Sequence, residues 1–221
     1  MNLLVVGSTG PQGREVVAQA LDAGHGVRAL ARNPSALQRR PGLEVVRGDV
    51  FDQPSLDAAA QGQDAAVVIL GVSLAAASRP TNVFSQGTRN LITALKAAGV
   101  RRLIVQSSYG VGDSRGDAGL LERVFYALLL RGAYADKVLQ EQVVRESGLD
   151  YTIVRPTRLT MAAGTGRYTA RVGPGSVPSS IARADVARFI LHALSTREYV
   201  GKTVSLGGPD KGRRQAHSPA T

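Results

Sequence analysis

"GSTGPQG", residues 7–13, follows directly on the apolar run Leu3-Leu4-Val5-Val6, and glycine recurs at every third position: Gly7, Gly10 and Gly13. A strand over residues 2–6 and a helix starting near Gly13 make this stretch a strand-to-helix junction. There a helix presents unpaired N–H groups and the positive end of its dipole. A phosphate reaches those groups only where no side chain stands in the way. Gly7 then serves the tight turn, Gly10 the approach of a diphosphate, and Gly13 the packing of helix on strand, while Ser8, Thr9 and Gln12 add hydrogen bonds. A turn without a ligand is the competing reading. The order strand, glycines, helix at the first strand of a βαβ unit favours dinucleotide binding.

Strand and helix alternate along the rest of the chain. Strands are expected at Val27–Ala31, Leu43–Arg47, Ala65–Leu70, Leu103–Gln106, Tyr151–Arg155 and Lys202–Leu206. Between them lie helical patterns at Glu15–Asp22, Pro34–Leu37, Pro54–Ala60 with Asp52 as cap, Asn82–Ala98, Leu120–Leu130, Tyr134–Ser147 and Asp185–Ser195. Glycines 24, 99 and 148 stop three of the helices. Such alternation with short connections predicts an α/β fold, a Rossmann-type doubly wound parallel sheet in three layers. No linker divides the chain, so residues 1–208 read as one domain. Residues 161–180, rich in Gly, Ser and Pro, read as an irregular segment covering the substrate edge of the sheet. The polar tail 209–221 reads as disordered.

The second strand's end bears on which dinucleotide binds. An NAD site places an acidic residue about 20 positions after the glycines, to hold the ribose 2′-hydroxyl. Here the sequence is "LARNPS": Arg32 stands 19 residues after Gly13, and no Asp or Glu lies between Asp22 and Glu44. A guanidinium grips a 2′-phosphate through paired hydrogen bonds, with Arg28, Ser35 and Arg39 at hand, which points to NADP(H). The competing reading of Arg32 is a solvated surface arginine.

Composition narrows the rest. The 221 residues contain no cysteine, which excludes disulfides, thiolate metal sites and cysteine nucleophiles. No run approaches the roughly 18 apolar residues of a membrane span, and no basic-then-apolar signal opens the chain, so a cytoplasmic, membrane-free protein is expected. Net charge is +10, from 27 basic against 17 acidic residues. The basic residues are scattered and aromatics few, so nucleic acid is not the expected partner. A small-molecule acceptor is, with the chain a monomer or homodimer. His25, His192 and His217 show no metal spacing. The stretch "LLERVFYALLL" (120–130) is apolar almost all round and suits a buried helix, a self-association face or a cover over the substrate mouth.

With "GSTGPQG", "LARNPS" and "RGDVFD" (47–52), the chain resembles the atypical short-chain dehydrogenase/reductases, in particular their NAD(P)H-binding, NmrA-like group. "VVRESGLDYTIVRP" (143–156), "GRYT" (166–169) and "SSIARADVARFILHALSTREYVGKTVS" (179–205) are similar to the biliverdin-IXβ reductase, or flavin reductase (NADPH), branch. The resemblance implies positions along the cofactor: Asp49 and Val50 beside the adenine, Leu70, Gly71 and Val72 after the fourth strand, Ser107 and Ser108 near the nicotinamide and substrate, and Pro156, Thr157 and Arg158 flanking the nicotinamide ring. It implies an NADPH-dependent reductase, with Ser108 donating to the substrate and FMN or FAD among the acceptors. The alternative is a non-catalytic redox-sensing regulator. Nucleotide-sugar and isoflavone-type reductases carry a longer carboxyl-terminal substrate domain than fits after Arg155.

The wider superfamily's Tyr-x-x-x-Lys pattern is broken here. Tyr134 and Lys137 are three apart, and Val138 stands four on from the tyrosine. Lys137 either donates to an anionic substrate or pairs with Glu141 one turn on. Tyr109 either stacks on a flat substrate or packs. Asp113 and Asp117 either touch the substrate or are solvated.

Overall fold

The computed structural model describes residues 1–117 and 130–210. The apolar stretch 120–129 and the tail 211–221 lie outside them.

Parallel β1 (Asn2–Val6), β2 (Gly26–Ala31), β3 (Leu43–Arg47), β4 (Ala65–Val68), β5 (Arg102–Gln106), β6 (Asp150–Pro156) and β10 (Lys202–Gly207) form one sheet in the order β3-β2-β1-β4-β5-β6-β10. The order reverses beside β1, where a doubly wound sheet opens its ligand crevice. The strands are apolar on both sides because helices cover both faces. Leu3 and Val5 face the layer of α1 (Pro11–Asp22) and α6 (Arg183–Ser195), with Val16, Ala20, Phe189 and Ile190. Leu4 and Val6 face the layer of α2 (Gln53–Ala60), α4 (Val83–Ala97) and α5 (Arg131–Arg145), with Leu56, Leu91, Leu95 and Val144. Each fully buried leucine or isoleucine contributes about 2 kcal/mol of transfer free energy.

The segment 161–180 differs from its expected irregular form. Thr169–Val172 forms β8, antiparallel to β10, with Val204 opposite Val172 and Gly207 opposite Thr169. Two short parallel strands, β7 (Arg158–Thr160) and β9 (Ser180–Ala182), bracket the segment. β8 caps the β10 edge of the sheet. A four-residue strand with three exposed side chains has no apolar alternation for the sequence to display. The short α3 (Leu74–Ala77), capped by Ser73, was likewise not visible.

α4 and α5 are fastened by a tertiary cap. Asn82 precedes α4 but makes no side-chain cap bond. Asp136 of α5, buried, instead accepts from the backbone N–H of Phe84 (2.8 Å) and Ser85 (3.3 Å) and from the Ser85 hydroxyl. Its charge answers the helix dipole from a different helix. Asp136→Ala is expected to destabilise the fold by about 1–3 kcal/mol, because the donors stay buried without an acceptor. Urea unfolding would show it; an unchanged midpoint would contradict the cap.

Candidate functional site: a nucleotide crevice at the carboxyl edge

The turn between β1 and α1 separates the three glycines by role. Gly7 has φ +86°, and a Cβ there would lie 2.1 Å from the Ile69 carbonyl oxygen. A Cβ on Gly13 would lie 2.1 Å from the Gly7 carbonyl oxygen. Both glycines are therefore required by the fold itself. Gly10 is not: its φ of −72° and ψ of 161° suit any residue, and its nearest neighbour would be 3.7 Å away. The space a Cβ would fill at Gly10 opens onto the first turn of α1, which has no side-chain cap and no acidic residue. Unpaired N–H groups at a helix start are the kind that attract a phosphate.

Two of the turn's polar side chains bond within the protein. Ser8 is fully buried and donates to the Leu30 carbonyl at 3.1 Å, tying the turn to β2. Gln12 is buried and donates to the Arg183 carbonyl at 3.2 Å, joining the starts of α1 and α6. Each of these donors is thus used within the protein. Arg14 fixes the turn from outside, with Nε to the Thr9 carbonyl (2.9 Å) and Nη2 to the Ala36 carbonyl (2.6 Å).

Beside the turn, a cleft of about 480 Å³ is lined by Arg32, Arg47, Gly48, Asp49 and Asp52. Arg32 is exposed at the end of β2, and Arg47, exposed, ends β3. Arg47 was not among the residues expected at the site; its signal in the sequence was a basic residue closing the strand next to Arg32's. Arg28, by contrast, is taken by Glu44 (2.7 Å) and by the carbonyls of Ala59 and Gln61. It lies earlier on β2 and does not assist. Arg39 lines a separate cleft. Ser35 bonds Asn33 through its N–H and hydroxyl, shaping the turn after Arg32. Asp49 lines the cleft and accepts from the Phe51 N–H, and Val50 is buried beneath.

Farther along the edge, Leu70, Gly71 and Val72 follow β4, and Gly71 faces open space. Ser107 is buried and Ser108 half-buried after β5. Tyr109 is only 4% exposed, which decides for packing over an open stacking face. The Tyr134 hydroxyl donates to the Tyr109 carbonyl at 2.9 Å. Pro156, the last residue of β6, and Thr157 are buried, and the Thr157 hydroxyl donates to the Pro178 carbonyl (2.9 Å), anchoring the strap 161–180. Arg158 is exposed.

Lys137 is buried and sits behind β5. Its ammonium donates to the Gln106 carbonyl at 3.3 Å and lies 4.3 Å from the centre of the Phe84 ring. Of its two readings, the hydrogen-bonded pair with Glu141 does not form: that carboxylate is held by Arg155 and Arg145. Burial lowers the Lys137 pKa to about 8, against the upward pull of Glu141 and Asp136. Glu141 is itself pushed up by burial, but the Arg155 guanidinium outweighs that and holds it below the usual carboxylate range. Among the described residues no His, Asp and Glu group is placed to hold a metal ion, and no helix is long and apolar enough to cross a membrane.

A doubly wound sheet with an uncapped, glycine-cleared helix start at its reversal point defines a Rossmann nucleotide-binding protein. The chain belongs to the NAD(P)H-binding family, whose model matches residues 7–197. It is 32% identical to the (4-alkanoyl-5-oxo-2,5-dihydrofuran-3-yl)methyl phosphate reductase of Streptomyces griseus, covering 94% of this chain and 68% of that protein. It is 30% identical to an uncharacterized chloroplastic protein of Arabidopsis thaliana, over 92% of this chain and 75% of the other. Among solved structures it resembles ChuY, an anaerobillin reductase from Escherichia coli O157:H7. The TM-score is 0.78, with 25% identity, over 98% of this chain and 100% of that one.

Proposed function

We propose that the protein is an NADPH-dependent reductase that passes hydride to a flat, conjugated acceptor such as a flavin, a quinone or a linear tetrapyrrole. The observation that carries the reading is the free space at Gly10 over an uncapped helix start, beside a cleft with two arginines. Bound NADPH would supply the hydride. The main-chain N–H groups after Gly10 would hold the diphosphate, Arg32 and Arg47 the 2′-phosphate. Pro156–Arg158 and Ser107–Ser108 would frame the reacting edge, with the Ser108 hydroxyl donating to the acceptor. Conjugated acceptors need little protein acid–base help, and the proton that completes the reduction can come from solvent. Two relatives are reductases by name, one of a phosphorylated dihydrofuranone and one of anaerobillin.

The test is anaerobic oxidation of NADPH by the pure protein with FMN, a quinone and a biliverdin in turn. Turnover with at least one supports the reading; binding of NADPH with no turnover on any of them sinks it. That second outcome would favour a non-catalytic redox-sensing regulator, the reading that the engagement of the Tyr134 hydroxyl by the Tyr109 carbonyl supports. A pH profile adds detail. The Lys137 ammonium behind β5 would stabilise negative charge arriving on the acceptor, and it loses its proton above about 8. Acceptor reduction is therefore expected to slow as pH rises through that value, and Lys137→Met to remove this limb of the profile. A wild-type rate that stays flat there contradicts the role.

A further inference from the structure

The acceptor end of the crevice is assembled from three segments distant in sequence: Ser107–Tyr109 after β5, Lys137 on α5, and Pro156–Arg158 at the end of β6. One guanidinium touches the support of all three. Arg155, 2% exposed near the end of β6, gives Nε to Glu141 Oε1 (2.8 Å) and Nη2 to Glu141 Oε2 (2.6 Å). Its Nη1 binds Asp113. Glu141, 1% exposed, lies one turn beyond Lys137 on α5. Asp113 lies in the turn Gly112–Asp117 that follows Tyr109, and its own side chain is 67% exposed. That turn rests on the guanidinium: a Cβ at Gly112 (φ +61°) would lie 2.7 Å from Arg155 Nη2. Arg145 adds a second bond to Glu141 Oε2 at 2.8 Å.

A buried ion pair is a poor source of stability, because desolvation of both charges offsets their attraction. What it does supply is direction. A planar fork accepts a carboxylate in one orientation, where apolar contact would tolerate sliding. We infer that Arg155 is a positioning residue of the acceptor site: by gripping Glu141 and Asp113 it fixes Lys137 and the Ser107–Tyr109 turn against Pro156–Arg158. The inference rests on the reductase reading. It predicts that loosening the clasp affects acceptor recognition more than coenzyme affinity, since the glycine turn and the Arg32 cleft, where the diphosphate and 2′-phosphate would sit, share no residue with it.

Asp113 allows a test that spares the buried pair. In D113N the acceptor KM is expected to rise about tenfold with little change in kcat, and NADPH affinity to stay within about threefold. D113E, which keeps the charge, should return KM to near wild type, with D113N and D113E melting at the same temperature. R155K, which keeps the charge but loses the fork and frees Lys137 as well, should raise KM further and also lower kcat. Hydrogen exchange over residues 107–117 should quicken in D113N. A D113N protein with wild-type acceptor KM and wild-type exchange overturns the clasp and leaves the reductase standing. A wild-type protein that turns over no acceptor overturns the reductase instead, and the acceptor role of Arg155 with it.

Discussion

Gly10→Ala is expected to leave the fold intact and to weaken NADPH binding by on the order of 10- to 100-fold. The outcome depends on which neighbour a methyl group would meet. At Gly10 the backbone is extended and the nearest protein atom would be 3.7 Å away, so the free protein accommodates the change. Stability should move by less than about 0.5 kcal/mol, as for substitutions that touch no packed feature. With nucleotide bound as proposed, the same methyl group would stand between the first turn of α1 and the phosphate. Gly13→Ala is the control with the opposite signature. Its Cβ would press on the Gly7 carbonyl at 2.1 Å, so the turn must deform, at a cost of about 1–3 kcal/mol in stability. Calorimetric titration with NADPH beside thermal unfolding separates the two. If Gly10→Ala bound NADPH as tightly as wild type, the diphosphate would not lie at this turn.

The second large effect concerns coenzyme choice. Replacing Arg32 and Arg47 together with alanine is expected to weaken NADPH by on the order of 100-fold while leaving NADH within about threefold. Each guanidinium offers charge-assisted hydrogen bonds to a 2′-phosphate, a group NADH lacks. The cleft also contains Asp49 and Asp52. With the arginines present their charges are balanced; without them two carboxylates face a dianion. Because Arg32 and Arg47 are exposed, the preference should shrink as salt is raised, which distinguishes an electrostatic contribution from a steric one. Kd values for both coenzymes at two ionic strengths test this. Equal losses for NADPH and NADH would show that the pair does not read the 2′-phosphate.

Much of this fold was legible because its signals are local. Strands covered on both faces read as unbroken apolar runs, as in Leu3–Val6 and Ala65–Val68, and glycines mark the helix ends. Helix starts were placed late: α1 begins at Pro11, ahead of the expected start near Gly13 and the amphipathic pattern from Glu15, and α5 at Arg131 rather than Tyr134. In both, the first turn is not amphipathic, so periodicity detects only the packed portion. Asp52 precedes α2 as expected but makes no side-chain cap bond. β8 escaped notice because an edge strand is recognised by its partner, β10, and not by its own pattern.

From the chain alone came the architecture, the glycine turn and its place at the first strand, and the basic residue Arg32 where an NAD site carries an acid. These follow from short-range rules of backbone conformation and hydrophobic period, which act between residues adjacent in sequence. The tertiary structure alone decided which polar groups at the site are available. It turned Ser8 and Gln12 inward, tied Arg28 to Glu44, brought Arg47 to the cleft, and set Lys137 behind β5 while Glu141 went to Arg155. A side chain's availability depends on what else could bond it, and those competitors arrive from 14 to 171 residues away.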